Sequence, residues 1–173
     1  MSLKWKRGDV SSRLPRKAHR GGTDVCGAEI YVGRALHNGW MLPAKIIPSK
    51  RSAYVSYNGA EIPVQNFEVL VGKEKYFSWR PAADGNTTEG AISTGPYGSG
   101  CEELFIGRVA HQGSMTVGKI HPSHRCLYIG FNGLEIAYSC YEVLVWTGKR
   151  KDQKKKKKKR SSSSSSSGSS SSD

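Results

Sequence analysis

The sequence has no apolar run approaching the roughly 18 to 20 residues that span a bilayer, so no transmembrane helix is expected. Nowhere do apolar residues recur at three- and four-residue spacing over ten or more positions, which argues against an amphipathic helix. Cysteine is scarce. Cys26, Cys101, Cys126 and Cys140 follow no regular spacing, so a disulfide framework is not expected, and reduced thiols fit a cytoplasmic or nuclear chain. The basic start MSLKWKRGDV has no apolar segment behind it and does not read as a secretory leader. Also missing are a Gly-x-Ser-x-Gly elbow, a phosphate-cradling glycine loop and a nucleophile beside an obvious base, so neither an enzyme nor a cofactor is expected.

What is present is a tandem repeat. YVGRALHNGWMLPAKIIPS, residues 31–49, returns 74 positions later as FIGRVAHQGSMTVGKIHPS, residues 105–123. The same ungapped shift carries Trp5 to Trp79, Gly33 and Arg34 to Gly107 and Arg108, His37 to His111, Lys45 to Lys119 and Pro48 to Pro122. It also carries Asn58, Gly59 and Glu61 to Asn132, Gly133 and Glu135, and FEVLV from Phe67 to YEVLV from Tyr141. One repeat is therefore read over 5–71 and a second over 79–146. A unit this small would bury only about 60% of its unfolded surface alone, so the two copies are expected to share a core.

The periodicity predicts an all-β body. Glu29–Arg34 and its copy from Glu103 are short β-branched and aromatic runs, and Ala44–Ile47 reads as a strand stopped by Pro48. Ala53–Tyr57, Asn58-Gly59 and Ala60–Ile62 form a two-residue hairpin pattern, and Leu127–Ile136 repeats it around Asn132-Gly133. Phe67–Val71 and Tyr141–Trp146 close the copies. The fold class expected is two β-rich repeats, packed or strand-exchanged into one pseudo-symmetric body.

The formal charge of +13 lies at the ends of the chain. Residues 21–148 hold ten basic and eleven acidic side chains, so the body is near neutral. Residues 149–173, a lysine-arginine run followed by serines, read as a disordered tail. That tail suggests a second function, binding of nucleic acid or other anionic partners through counterion release with the repeats as scaffold. It also suggests nuclear import.

The blocks GGTD, YVGRALHNG, AKIIPS, YVSYNGAEI and FEVLV resemble the DM-nine repeat over residues 5–146. That repeat occurs in tandem in invertebrate lectins and, joined to a pore-forming module, in natterin-like toxins. No segment resembling that module follows, so the toxin architecture is not expected. The resemblance implies a mannose-binding lectin of innate recognition of microbial glycans, with sugar contacts at the acid of the GGTD block and the lysine of the Lys-Ile-x-Pro block. Here these are Asp24 and Lys45, with Lys119 matching Lys45 in the second copy. A carboxylate that accepts and an ammonium that donates can clamp a sugar diol. The bland alternative is an exposed Asp24–Lys45 ion pair.

The second copy departs from the pattern, because Gly98 stands where Asp24 does in the first. A site built within one copy would lose its acid there, unless Glu102 or Glu103 substitutes. Exchanged strands could instead bring Asp24 to Lys119. A homodimer would add avidity to one weak site per chain. Arg34 and Arg108, with Glu61, Glu68, Glu135 and Glu142, read as pairs within the fold, and His37 and His111 as loop histidines. His121, His124, Cys126 and Cys140 have the donor types for tetrahedral zinc, but their spacing is not a known finger and the first copy lacks them, so no metal is expected.

Overall fold

The computed structural model describes residues 3–95 and 100–148. The tail expected to be disordered and the position of Gly98 lie outside the described residues. The described chain is all β, with 3₁₀ turns at Pro48–Lys50, Glu74–Tyr76 and Pro122–His124. The first half contains β1 (Lys4–Asp9), β2 (Arg20–Thr23), β3 (Glu29–His37), β4 (Trp40–Ile47), β5 (Ser52–Tyr57), β6 (Ala60–Pro63) and β7 (Asn66–Val71). The second contains β8 (Phe77–Ala83), β9 (Phe105–His111), β10 (Ser114–His121), β11 (Cys126–Phe131), β12 (Leu134–Tyr138) and β13 (Cys140–Trp146). The start of β4 and the start of β10 keep the 74-residue offset, as do the hairpins that follow them.

The two Asn-Gly pairs read as hairpins make the turn their chemistry predicts. Asn58 and Gly59 have φ of 50° and 84°, and Asn132 and Gly133 have 50° and 81°, the left-handed pair that a two-residue hairpin needs. His37-Asn38-Gly39-Trp40 is a third such turn, with φ of 50° and 79° at its centre. His37 and His111 thus end strands rather than sit in loops.

Antiparallel pairing runs in the order β1-β7-β3-β4-β5-β6-β12-β11-β10-β9-β13-β8. β2 leaves that path, pairing with β3 and, through Thr23 opposite Met115, with β10. That contact closes β2, β3, β4, β5, β6, β12, β11 and β10 into an eight-stranded barrel, with β7 and β1 continuing from β3 and β9, β13 and β8 continuing from β10. Closure explains part of the GGTD block. A Cβ at Gly22 would lie 1.9 Å from the Met115 carbonyl oxygen, so β2 can approach β10 only as bare backbone.

The core follows from the same topology. Ile30, Val32 and Leu70 of the first half pack with Ile106, Val117 and Leu144 of the second in one buried cluster. Clusters belonging mainly to one half each flank it. The two repeats share a core and form one pseudo-symmetric body, as their individual size predicts.

Candidate functional site

Lys45 and Lys119 sit in almost wholly buried runs of β4 and β10. A buried ammonium persists only where it is paired and hydrogen-bonded. Lys45 Nζ lies 2.7 Å from Glu61 Oε2 and donates to the Gly130 carbonyl at 2.6 Å. Lys119 Nζ lies 2.9 Å from Glu135 Oε2 and donates to the Ser56 carbonyl at 2.8 Å. Gly130 and Ser56 are equivalent under the 74-residue shift, so each lysine pairs within its own repeat and reaches into the other. The strand edges are reciprocal too: the Glu61 N–H donates to Gly133 O and the Glu135 N–H to Gly59 O, both at 3.0 Å. Each ammonium has three donors, so one N–H remains after these two bonds. Tyrosine rings flank both, Tyr54 at 5.5 Å from Lys45 Nζ and Tyr128 at 5.1 Å from Lys119 Nζ.

The arginines make a second reciprocal set. Arg34 Nε donates to Glu68 at 2.6 Å and Arg108 Nε to Glu142 at 2.7 Å. Their guanidinium groups cover Trp5 and Trp79 and donate across the seam to Thr94 O and Gly21 O. Glu68 and Glu142 are thus arginine partners, whereas Glu61 and Glu135 belong to the lysines.

Asp24 lies in the turn between β2 and β3. Its Oδ1 accepts from the Cys26 and Ala28 N–H groups at 2.9 Å, and its Oδ2 pairs with Lys50. The Lys50 bond, joined by those two N–H groups and opposed by partial burial, holds the carboxyl below the usual aspartate range. Asp24 therefore pairs with neither Lys45 nor Lys119.

In the second repeat an acid stands near the equivalent place. Glu102 accepts from the Ser123 N–H at 2.7 Å and hydroxyl at 2.5 Å, and lies 3.2 Å from His121 Nδ1. Burial raises its pKa, but the Ser123 bonds and His121 outweigh that and the net shift is downward. The His121 and His124 rings stack at 3.6 Å with 7° between their planes, and His124 Nδ1 meets Tyr128 Oη at 3.0 Å. Burial, then the neighbouring His124, lowers the His121 pKa, while burial and Cys126 push the Tyr128 phenol up to about 12.

His121, His124 and Tyr128 line an open cleft of about 590 Å³ together with Trp40, Tyr57 and the buried pair Lys119 and Glu135. A small cavity of about 10 Å³ lies beside Lys45, between β4, β5, β10 and Gly130. Clefts of similar volume beside Pro15 and Tyr31, and beside Arg34 and Phe67, lack such a convergence of aromatic and ionisable groups. Cys126 is buried, Cys140 is exposed, and all four cysteines are free thiols. Among the described residues no group of three or more histidine, cysteine, aspartate or glutamate side chains could hold a metal ion. No helix among them is long and apolar enough to cross a membrane. Reading the sequence misses Glu135 and Glu61 as lysine partners, although each follows its lysine by the same 16 positions in both copies.

Fold and seam together define a two-repeat β protein whose buried charges converge where the repeats meet. The family model of the DM9 repeat matches residues 24–138, about two thirds of the chain, and the chain belongs to that family. Among curated proteins it is similar to natterin-4 of Thalassophryne nattereri, 25% identical over 146 residues covering 83% of this chain and 34% of that protein. It is also similar to natterin-1 of the same fish, 31% identical over 81 residues covering 44% and 20%. The chain thus spans about a fifth to a third of the length of the curated relatives it matches. Among solved structures, the crystal structure of the nematode sperm cell motility protein MFP2B superposes with a TM-score of 0.64 over 87% of this chain and 48% of that one. At 14% identity that is a likeness of fold alone.

Proposed function

We propose that this chain is a non-catalytic carbohydrate-binding protein that takes mannose-type glycans. The observation that carries the reading is the cleft at the seam, where the Lys119–Glu135 pair lies at the base of aromatic walls. An ammonium with one N–H to spare, beside a carboxylate whose Oε1 accepts from the Gly59 N–H at 3.2 Å and keeps a second lone pair, can donate to one sugar hydroxyl and accept from its neighbour. Concave sites with apolar walls and a few convergent polar groups are the usual form of small-ligand sites. The resemblance to DM-nine lectins supports mannose as the sugar type, with Asp24 and Lys45 serving the first repeat. Such sites bind weakly one at a time, and a homodimer would raise apparent affinity about 10²–10⁴-fold. Sedimentation that returns only monomer at working concentration overturns the dimer.

The test is calorimetric titration of the full chain with mannose and a mannan fragment, beside Asp24→Asn and Lys119→Met variants whose folding is checked by near-ultraviolet circular dichroism. Saturable heat with the wild type, reduced in the folded variants, is the expected result. No heat with the wild-type chain overturns the reading.

A further inference from the structure

The two halves of the seam are not chemically equal. Trp40, His121 and His124 border the Lys119 cleft, and the 74-residue shift puts Ser114, Ile47 and Lys50 at the corresponding places of the other half. The fold therefore accepts a small hydroxyl, an aliphatic chain and a lysine at these positions. The shared architecture thus does not require an indole and a stacked imidazole pair there, although in this half Trp40 also packs against the core cluster of Ala35, Leu42 and Ala44. The indole nevertheless stands only partly buried, 6.4 Å from the His121 ring and tilted 43° to it, on a strand of the first repeat facing residues of the second. Tyr128 supports the histidines edge-on, at 6.4 Å from His121 and 5.8 Å from His124. Both imidazoles engage Nδ1 within the protein, and neither Nε2 has a hydrogen bond among the described residues.

We infer that the Lys119 cleft stacks neutral pyranoses whose ring hydroxyls are all equatorial, glucose-configured sugars, on Trp40 and favours them over the mannose-type sugars that it also takes. This rests on the reading of the seam as carbohydrate-binding and adds the sugar class of one half. Three features support the class. Aromatic faces carry negative quadrupole charge and attract the polarised C–H bonds that a pyranose ring presents on its flat face. An all-equatorial pyranose offers such a C–H face on both sides, whereas the axial 2-hydroxyl of mannose interrupts one. Lys119 is balanced by Glu135, and Glu102 adds a negative charge near the histidines, so the cleft has no net positive charge with which to hold a uronate or sialate. The free imidazole nitrogens, the spare Lys119 N–H and the Glu135 carboxylate would serve the equatorial hydroxyl rim.

The experiment follows the Trp40 indole N–H resonance and the heat of binding as the full chain is titrated with a β-1,4-linked glucose disaccharide and, separately, with methyl α-mannoside. Trp40→Ser copies the residue that the equivalent position already holds, and Trp40→Phe keeps an aromatic face. The disaccharide is expected to shift the Trp40 resonance, to bind roughly tenfold more weakly to Trp40→Ser, and to recover most of that loss in Trp40→Phe. Mannoside binding is expected to survive Trp40→Ser. A wild-type chain that binds the mannoside but not the disaccharide overturns this inference and leaves the proposed function standing. Equal loss of both sugars in Trp40→Ser overturns the division of preference. A chain that binds neither sugar overturns the proposed function itself.

Discussion

Replacing Lys45 by methionine tests whether the buried lysines hold the halves together. The substitution keeps chain length and removes the ammonium, breaking the 2.7 Å pair with Glu61 and the 2.6 Å bond to Gly130 O. Glu61, whose side chain is 10% exposed, is left as an unpaired carboxylate at the seam. Losing one partner of a buried pair costs about 3–5 kcal/mol, because the orphaned charge keeps its desolvation penalty. Set against a typical domain stability of about 5–15 kcal/mol, this is a large fraction. In a chain of this size it lowers Tm by about 6–20 °C, at roughly 2–4 °C per kcal/mol. Urea unfolding monitored by tryptophan fluorescence measures it, with an unchanged slope m confirming that stability alone has moved. Lys45→Met combined with Glu61→Leu is expected to recover most of the loss, since an apolar pair of similar volume carries no orphan charge. A single substitution costing less than about 1 kcal/mol would return Lys45 to the status of an exposed ion pair and refute the reasoning. Loss of ligand binding in a Lys45 variant is therefore interpretable only beside its stability.

Other expectations concern closure, turns and pH. Gly22→Ala should cost at least about 2–3 kcal/mol, because its Cβ would meet the Met115 carbonyl; a wild-type urea midpoint contradicts this. Gly133→Ala should cost about 1–2 kcal/mol from its positive φ alone, since nothing lies within 4 Å of the added Cβ, and thermal melting reads the difference. Asp24 titrates below its unfolded value, so its stabilisation is present above about pH 4 and is lost as pH falls through the folded value. The stability gap between wild type and Asp24→Asn should accordingly narrow below about pH 4, and a gap that stays constant to pH 2 argues against the Lys50 bond as its source. His19 is buried against Phe77, and that burial lowers its pKa despite Glu74 3.0 Å away. The unfolded chain then binds the extra proton, so stability should fall below about pH 6.5 by up to about 1.4 kcal/mol per pH unit. His19→Gln should flatten that slope, measured by urea midpoints across the pH range.

The hairpins are legible in the sequence because an Asn-Gly pair has a backbone preference of its own, and the tandem offset makes each copy a check on the other. The flanking strands are harder to read. β1 and β8 each pair with one neighbour only, and edge strands tolerate runs of charge and proline, as KWKRGD and FSWRPAA show. β2 has no β-branched or aromatic strand pattern of its own, because its glycines serve the close approach to β10. At the site, the resemblance points to Asp24, Lys45 and Lys119 by residue type, and the structure adds how each is held. Bonds such as Lys45 to Gly130, 85 residues apart, depend on how the barrel closes and leave no local pattern. Trp40 is obscured for the opposite reason, since the repeat frame directs attention to matched residues and Trp40 is matched by serine.

The reciprocal lysine and arginine bonds bear on how such a molecule can change over time. A chain of one repeat would leave its ammonium one acceptor short and its guanidinium without a carbonyl, so it could satisfy them only on a second copy related by a true twofold axis. In that arrangement every substitution is made twice, and a residue that suits one side must suit the other. Joining the halves in one polypeptide keeps the reciprocal bonds while releasing the rest from self-complementarity. Position 40 can then be tryptophan while position 114 is serine, and position 24 aspartate while position 98 is glycine. The strictly matched residues mark what the shared architecture demands, and the mismatched ones mark where the two halves are free to acquire different work.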